Sequence, residues 1–260
     1  MSKRFLAGHV LIALVVSVLL LAFEIGHFDH SVSSWFFDQA TGRFPLRRSI
    51  MLETVMHLWA KYLVVLLGCS VAGAWLFSFA AVRLRPLRQV LLYLALALAL
   101  APAAVATLKT VGGQHCPHEL IEFGGYAPYH GLLEREAPDV QAGRCFVSGH
   151  ASAGFALFAF YFAGLALGRR RLARLGLWGG FSAGLVFGLT RVAQGSHFLS
   201  DVLWAGLACW VVSLVLYAFM FGFRSAAPQR PAAGPGGSES PVLNPSRRDR
   251  PPAMARTSIA

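Results

Sequence analysis

Residues 151–190 read ASAGFALFAFYFAGLALGRRRLARLGLWGGFSAGLVFGLT. Two apolar runs, Ala151–Gly168 and Leu175–Thr190, are joined by a short connection carrying Arg169, Arg170, Arg171 and Arg174. Each run approaches the roughly 20 residues that a helix needs to cross a hydrocarbon core. A connection this short and this basic marks the cytoplasmic side of a membrane. The same pattern extends outward in both directions. Apolar runs cover Phe5–Phe23 behind Lys3 and Arg4, Tyr62–Val82 between Lys61 and Arg83, Gln89–Leu108 against Lys109, and Ser200–Phe221. The expectation is an all-α fold, a six-span transmembrane helix bundle. The first run is longer than the about 7–15 apolar residues of a signal peptide and lacks a clear cleavage site, so it reads as a retained span, with a cleaved signal as the alternative.

Composition agrees. Hydrophobic types make up 56% of the 260 residues and charged types 13%, where a soluble domain carries about 25% charged residues. The net charge of +11 does not indicate nucleic acid, because the basic residues lie beside the spans. With the N-terminus inside, 15 of the 23 Lys and Arg fall on the cytoplasmic side, as the positive-inside rule requires. Both termini are then cytoplasmic. In a Gram-negative bacterium the protein would sit in the inner membrane with its outer face periplasmic. Residues 1–223 form the membrane domain in this reading. Residues 224–260, rich in Pro, Gly, Ser and Arg, lack the apolar material to fold and read as a disordered basic cytoplasmic tail. Residues 44–62 differ from the spans. Glu53, His57 and Lys61 recur every four residues, which predicts an amphipathic helix at the outer interface leading into span two.

On this topology the unusual polar residues converge. Lys109 ends span three. Ser148, Gly149 and His150 start span four. Arg191 ends span five, and His197 and Asp201 start span six. All reach the outer face, and ionisable groups at membrane depth are functional candidates. Lys109 and Arg191 supply positive charge, and the start of span four offers unpaired backbone N–H groups, with Gly149 permitting close approach. These features favour an anion such as phosphate. His197 and Asp201, four apart on a helix, share a face. The carboxylate can hold one ring nitrogen and leave the other as a nucleophile, with His150 as the acid for a leaving group.

Three stretches, KTVGGQHCP (Lys109–Pro117), VSGH (Val147–His150) and TRVAQGSHFLSD (Thr190–Asp201), together resemble the signature of the type 2 phosphatidic acid phosphatase superfamily. The resemblance covers spans three to six. It implies a six-span enzyme that hydrolyses a lipid phosphate or diphosphate without metal or other cofactor. It also implies a phosphohistidine on His197, with His150 as acid and then base, Asp201 orienting His197, and Lys109, Ser148, Gly149 and Arg191 binding phosphate. The expected partners are a lipid phosphate and the bilayer. A phosphotransferase on the same scaffold, or a non-catalytic protein that binds or transports lipid phosphate, are the alternatives. Phosphatidic acid, phosphatidylglycerol phosphate, undecaprenyl diphosphate and lipid A phosphate all present the same group.

The chain departs from the family pattern at three positions. Thr190 stands for Ser and Val147 for Pro. More consequentially, Cys116 stands where the family has a phosphate-binding Arg, and a thiol cannot replace a guanidinium fork. Arg144 is the nearest substitute cation, ahead of His115. Cys116 and Cys145 lie in the same outer loop, so a bridge between them is expected in an oxidising compartment. In the chain-entropy model it would stabilise the fold by roughly 3 kcal/mol, holding Arg144 beside the anion cradle. The acidic residues of this loop, Glu119, Glu122, Glu134, Glu136 and Asp139, read either as headgroup contacts or as a solvated outer surface. His115, His118, Glu119 and Glu122 match no strong metal-ligand spacing.

Overall fold

The computed structural model describes residues 3–131, 134 and 141–222. The expected tail and the stretch holding Glu136 and Asp139 lie outside the described residues. Eight α-helices follow one another, and no strand occurs among the described residues: α1 Lys3–Ile25, α2 Phe28–Ser34, α3 Ala60–Phe77, α4 Arg88–Val111, α5 Gly149–Phe155, α6 Phe158–Ala166, α7 Arg170–Ala193 and α8 Leu199–Phe221. Five helical segments are long and apolar enough to cross a membrane: α1, α4 with the turn before it, α5 with α6, α7, and α8. The sixth expected span is the shorter apolar helix α3. It stops at Ser78 rather than Val82. There Arg88 donates to the Ser78 carbonyl at 2.8 Å and stacks its guanidinium over Phe79, which turns the chain into a basic 3-10 segment, Val82–Leu87.

Expected span four is two helices. At its centre Gly154 lies against the backbone of Ala183 and Gly184, where a Cβ would collide. The facing surface of α7 is a stripe of small residues. Gly176, Gly180, Gly184 and Gly188 recur every four positions and are all buried, one below another on a single helix face. They admit the α6 backbone at Tyr161, the rings of Phe158 and Phe155, and the side chain of Val202 on α8. In a bilayer, helices associate through such close packing because lipid supplies no hydrophobic drive between them. This stripe sets how near α5, α6 and α8 stand to α7, and so how near their polar ends stand to one another.

The core of the bundle is a cluster of Leu98, Ala101, Val105, Val147, Ala151, Phe155, Val202 and Cys209 from α4, α5 and α8. A second cluster around Tyr93 and Phe162 lies toward the end at which Gln89 donates to the Met220 carbonyl at 2.6 Å. The opposite end is capped by aromatic residues. Phe44, Leu120, Phe123 and Phe198 form a buried cluster flanked by Phe36, Phe37 and Tyr129.

The amphipathic segment expected over residues 44–62 is shorter than the sequence suggested. Residues 44–49 are turns and irregular backbone. Leu52–Trp59 is π-helical and runs directly into α3. The wider turn breaks the every-four spacing on which the expected single face depended.

Candidate active site

The starts of α3, α5 and α8 and the ends of α4 and α7 meet at the capped end of the bundle. A cavity of about 640 Å³ opens there, and Lys109, Gly149, His150, Arg191 and His197 all line it. Apart from Lys61 at the start of α3, its remaining wall is apolar and comes mainly from α3 and α4. Val64, Val65, Gly68, Cys69 and Ala72 contribute from one helix, and Ala95, Leu98, Ala99 and Pro102 from the other. Both sets follow the helical i, i+3, i+4, i+7 pattern, so each helix presents one continuous face. The cavity is therefore polar at one end and greasy along its length.

His197 sits in the turn between α7 and α8 and is buried, with 5% of its surface exposed. Its Nδ1 lies 3.3 Å from Asp201 Oδ2 and 3.5 Å from Cys145 Sγ. With Nδ1 occupied in this way, Nε2 is left to carry the ring's second function. Asp201 is fully buried. Its Oδ2 also accepts from the Phe198 backbone N–H at 2.9 Å, so one carboxylate both caps the start of α8 and orients the imidazole. Burial lowers the His197 pKa below the ordinary imidazole range. The nearby charges of Lys109 and Arg191 push the same way, while Asp201 opposes them.

The turn holding His197 is fixed by its neighbours. Gly195 adopts φ 65°, a left-handed conformation that glycine enters freely. The ring of Phe44 occupies the space where a Cβ would lie. The Gly195 carbonyl accepts from the backbone N–H of His118 at 3.0 Å and from its ring Nδ1 at 2.8 Å. The start of α8 takes a second carboxylate from α2, where Asp29 Oδ1 accepts from the Ser200 N–H at 2.9 Å. Burial pushes the Asp29 pKa up to about 7. Nearby Glu24 accepts from Trp204 Nε1 at 2.9 Å. Neither Asp29 nor Glu24 stands out in the sequence, because their partners are more than 170 residues away.

Arg191 donates through one Nη to Gln194 Oε1 at 2.8 Å and to Glu53 Oε1 at 3.0 Å. The segment expected to be an interfacial anchor thus contributes a carboxylate to a cavity residue. Gly149 lines the cavity, and a Cβ added there meets no atom within 4 Å. Ser148 is buried and does not line the cavity. Its oxygen faces the Ala151 N–H at 3.5 Å as the N-cap of α5, so it shapes the helix start. Arg144 is exposed and is not part of the cavity wall, yet it stands close enough for its charge to act on Lys109.

Cys116 and Cys145 are joined as a disulfide with Cα atoms 5.0 Å apart. Glu119 Oε2 accepts from the Cys116 N–H at 2.9 Å. Cys145, His197 and Asp201 place sulfur, nitrogen and oxygen within 4.8 Å of one another. A disulfide sulfur is not a thiolate, however, and thiolate is the form in which cysteine ligates metals. The cluster fits a metal ion poorly.

Residues 90–225 match the family model described as the PAP2 superfamily. A lipid A 4'-phosphatase of Francisella tularensis subsp. novicida (strain U112) is 30% identical over 141 residues, covering 52% of this chain and 60% of the relative. The match thus spans less than two thirds of that relative's length. No solved structure matches the chain.

Proposed function

The chain belongs to the PAP2 superfamily, and from that premise we propose that it is an integral membrane phosphatase acting on a lipid phosphate or diphosphate. One observation carries this reading. A single cavity joins the imidazole and cation end, at His150, His197, Lys109 and Arg191, to an apolar slot between α3 and α4. The α3 face from residue 61 to residue 72 spans about 17 Å at 1.5 Å per residue, a length suited to acyl chain. A water-soluble phosphate ester would gain nothing from such a slot. The printed name of the relative supports a phosphorylated glycolipid as one candidate substrate.

In the proposed reaction the phosphate lies against Lys109, Arg191 and the backbone of Gly149. Nε2 of His197 attacks phosphorus, a P–N bond forms, and the P–O bond to the lipid breaks. His150 donates its proton to the departing oxygen. Water then loses a proton to His150 and attacks the phosphohistidine, which frees orthophosphate and restores both rings. Asp201 stabilises the positive charge that develops on His197. The two cations stabilise the equatorial oxygens, and electrostatic preorganisation of this kind is usually the largest catalytic contribution. In the same proposal, α3 completes a six-span bundle, the cavity faces the outside, and both termini and the 224–260 tail are cytoplasmic.

The test uses purified protein and a panel of phosphatidic acid, phosphatidylglycerol phosphate, undecaprenyl diphosphate and lipid A, with orthophosphate release as the readout. Release from at least one lipid, absent in His197→Ala, upholds the reading. Lipid binding without any release would replace it with a non-catalytic role. Release only when a second lipid acceptor is present, as transferred phosphoryl, would mark a phosphotransferase.

A further inference from the structure

We propose that Lys61 is a further phosphate-binding cation of this cavity, recruited from the start of α3. The inference deepens the phosphatase reading and rests on it for the identity of the anion. Lys61 lines the same cavity as Lys109, Arg191 and His197. Its register explains why. Counting from Lys61, Val64, Val65, Gly68 and Ala72 fall at positions +3, +4, +7 and +11, and all four line the slot. That is one helix face, and Lys61 is its outermost member. Lys109 holds the matching place on α4, following Ala95, Leu98 and Pro102 along that helix's lining face. The two apolar walls therefore end in a lysine each, at the end where the imidazoles sit.

The segment before Lys61 is tied to the same place. Glu53 reaches Arg191 at 3.0 Å, which ties the π-helical turn of Leu52–Trp59 to a cavity residue. Lys61 itself makes no ion pair among the described residues, so its charge is not already spent on a carboxylate. The pocket has a use for it. Cys116 is held in the bridge to Cys145 and offers no charge. A lysine ammonium on a flexible stem carries three donors and can reach a phosphoryl oxygen, whether of a lipid headgroup or of free orthophosphate. A carboxylate on Arg191 and an ammonium on the same segment also suit exchange: phosphate displaces Glu53 from Arg191 and meets Lys61 as it does so.

The experiment compares wild type, Lys61→Ala, Lys61→Arg and Arg48→Ala, the last an exposed outer arginine serving as a charge control. Orthophosphate binding is measured by calorimetry on full-length protein in nanodiscs. Turnover is measured with dioleoyl phosphatidate and lipid A. Lys61→Ala is expected to weaken orthophosphate binding and raise KM by about tenfold, the scale of one charge-assisted hydrogen bond, with a smaller change in kcat. Lys61→Arg is expected to restore both, and Arg48→Ala to change neither. Wild-type turnover together with unchanged binding and KM in Lys61→Ala overturns the Lys61 assignment alone. Equal losses in Arg48→Ala overturn it as well, since a diffuse field then accounts for the effect. Lys61-dependent orthophosphate binding without release from either lipid supports the cation site and counts against the phosphatase reading. Absence of both binding and release overturns both.

Discussion

At the residue scale, His197 has one nitrogen held beside Asp201 and Cys145 and the other left for chemistry. Replacing it with alanine is expected to lower phosphate release by at least about a thousandfold, while the size-exclusion profile and melting temperature stay near those of wild type. In the proposed reaction, Lys109→Ala and Arg191→Ala act on transition-state charge. Each is expected to cost about 3 kcal/mol, or roughly 10²-fold in kcat. The pH profile follows from the direction of the His197 shift. Burial lowers its pKa, so the ring keeps its lone pair as pH falls through the ordinary imidazole value of about 6.5. The acid limb of kcat/KM that belongs to His197 should therefore lie below pH 6.5. An acid limb centred above 7 would contradict this placement. The motif spacing picked out Lys109, Arg191, His197 and Asp201 as candidates, and the first three line the cavity, although His197 lies in the turn before α8 and meets Asp201 there rather than along a helix face. Lys61 and Glu53 were not legible as site residues. Their membership depends on α3 packing beside α4 and on a π-helical turn that spacing rules do not anticipate.

At the element scale, two features hold the helix ends in place. The glycine stripe of α7 is one. Gly188 touches Val202 of α8, and a side chain there would collide. Gly188→Leu is expected to destabilise the bundle by about 1–3 kcal/mol through overpacking, read as a lower thermal midpoint in detergent and a lower yield of monodisperse protein. The other is the cap that α2 places on α8. Asp29→Ala removes the acceptor for a buried N–H and is expected to cost about 1–2 kcal/mol. Asp29→Asn keeps an oxygen there and separates the hydrogen bond from the charge. The folded pKa of Asp29 is raised to about 7 from the ordinary aspartate value of 3.8, so its stabilising contribution is complete below pH 3.8 and is lost as pH rises through 7. Asp29→Asn should therefore flatten the decline in stability across that window. A midpoint that falls equally with pH in both proteins would show that another group is responsible. The break between α5 and α6 was hidden in the sequence, because the apolar run Ala151–Gly168 is continuous and only contact with α7 interrupts it.

At the scale of the whole molecule, the loop between α4 and α5 and the cavity form one unit. The Cys116–Cys145 bridge closes a loop with a sequence separation of 29, and Cys145 touches the ring of His197. The same loop holds Gly195 through His118. Cys116→Ser is expected to cost about 3 kcal/mol by the chain-entropy argument and to reduce kcat as well, since the turn beside His197 loses a brace. Paired thermal melts and kinetics with and without reductant check both effects. Full activity under reducing conditions that free both thiols, verified by mass mapping, would show that the bridge does not position the site.

The sequence by itself determined that this is a helical membrane protein and which end of each helix carries the candidate site residues. Apolar run length, flanking arginines and a four-residue spacing are local properties that no packing partner can change. Tertiary structure decided how those ends combine. It made the cavity from two apolar faces, seated Glu53 on Arg191, and brought Lys61 and Asp29 to positions their neighbours in the chain do not suggest. The contacts of Glu53 and Asp29 join residues more than a hundred positions apart, and how the helices approach one another is not encoded in any single stretch of sequence.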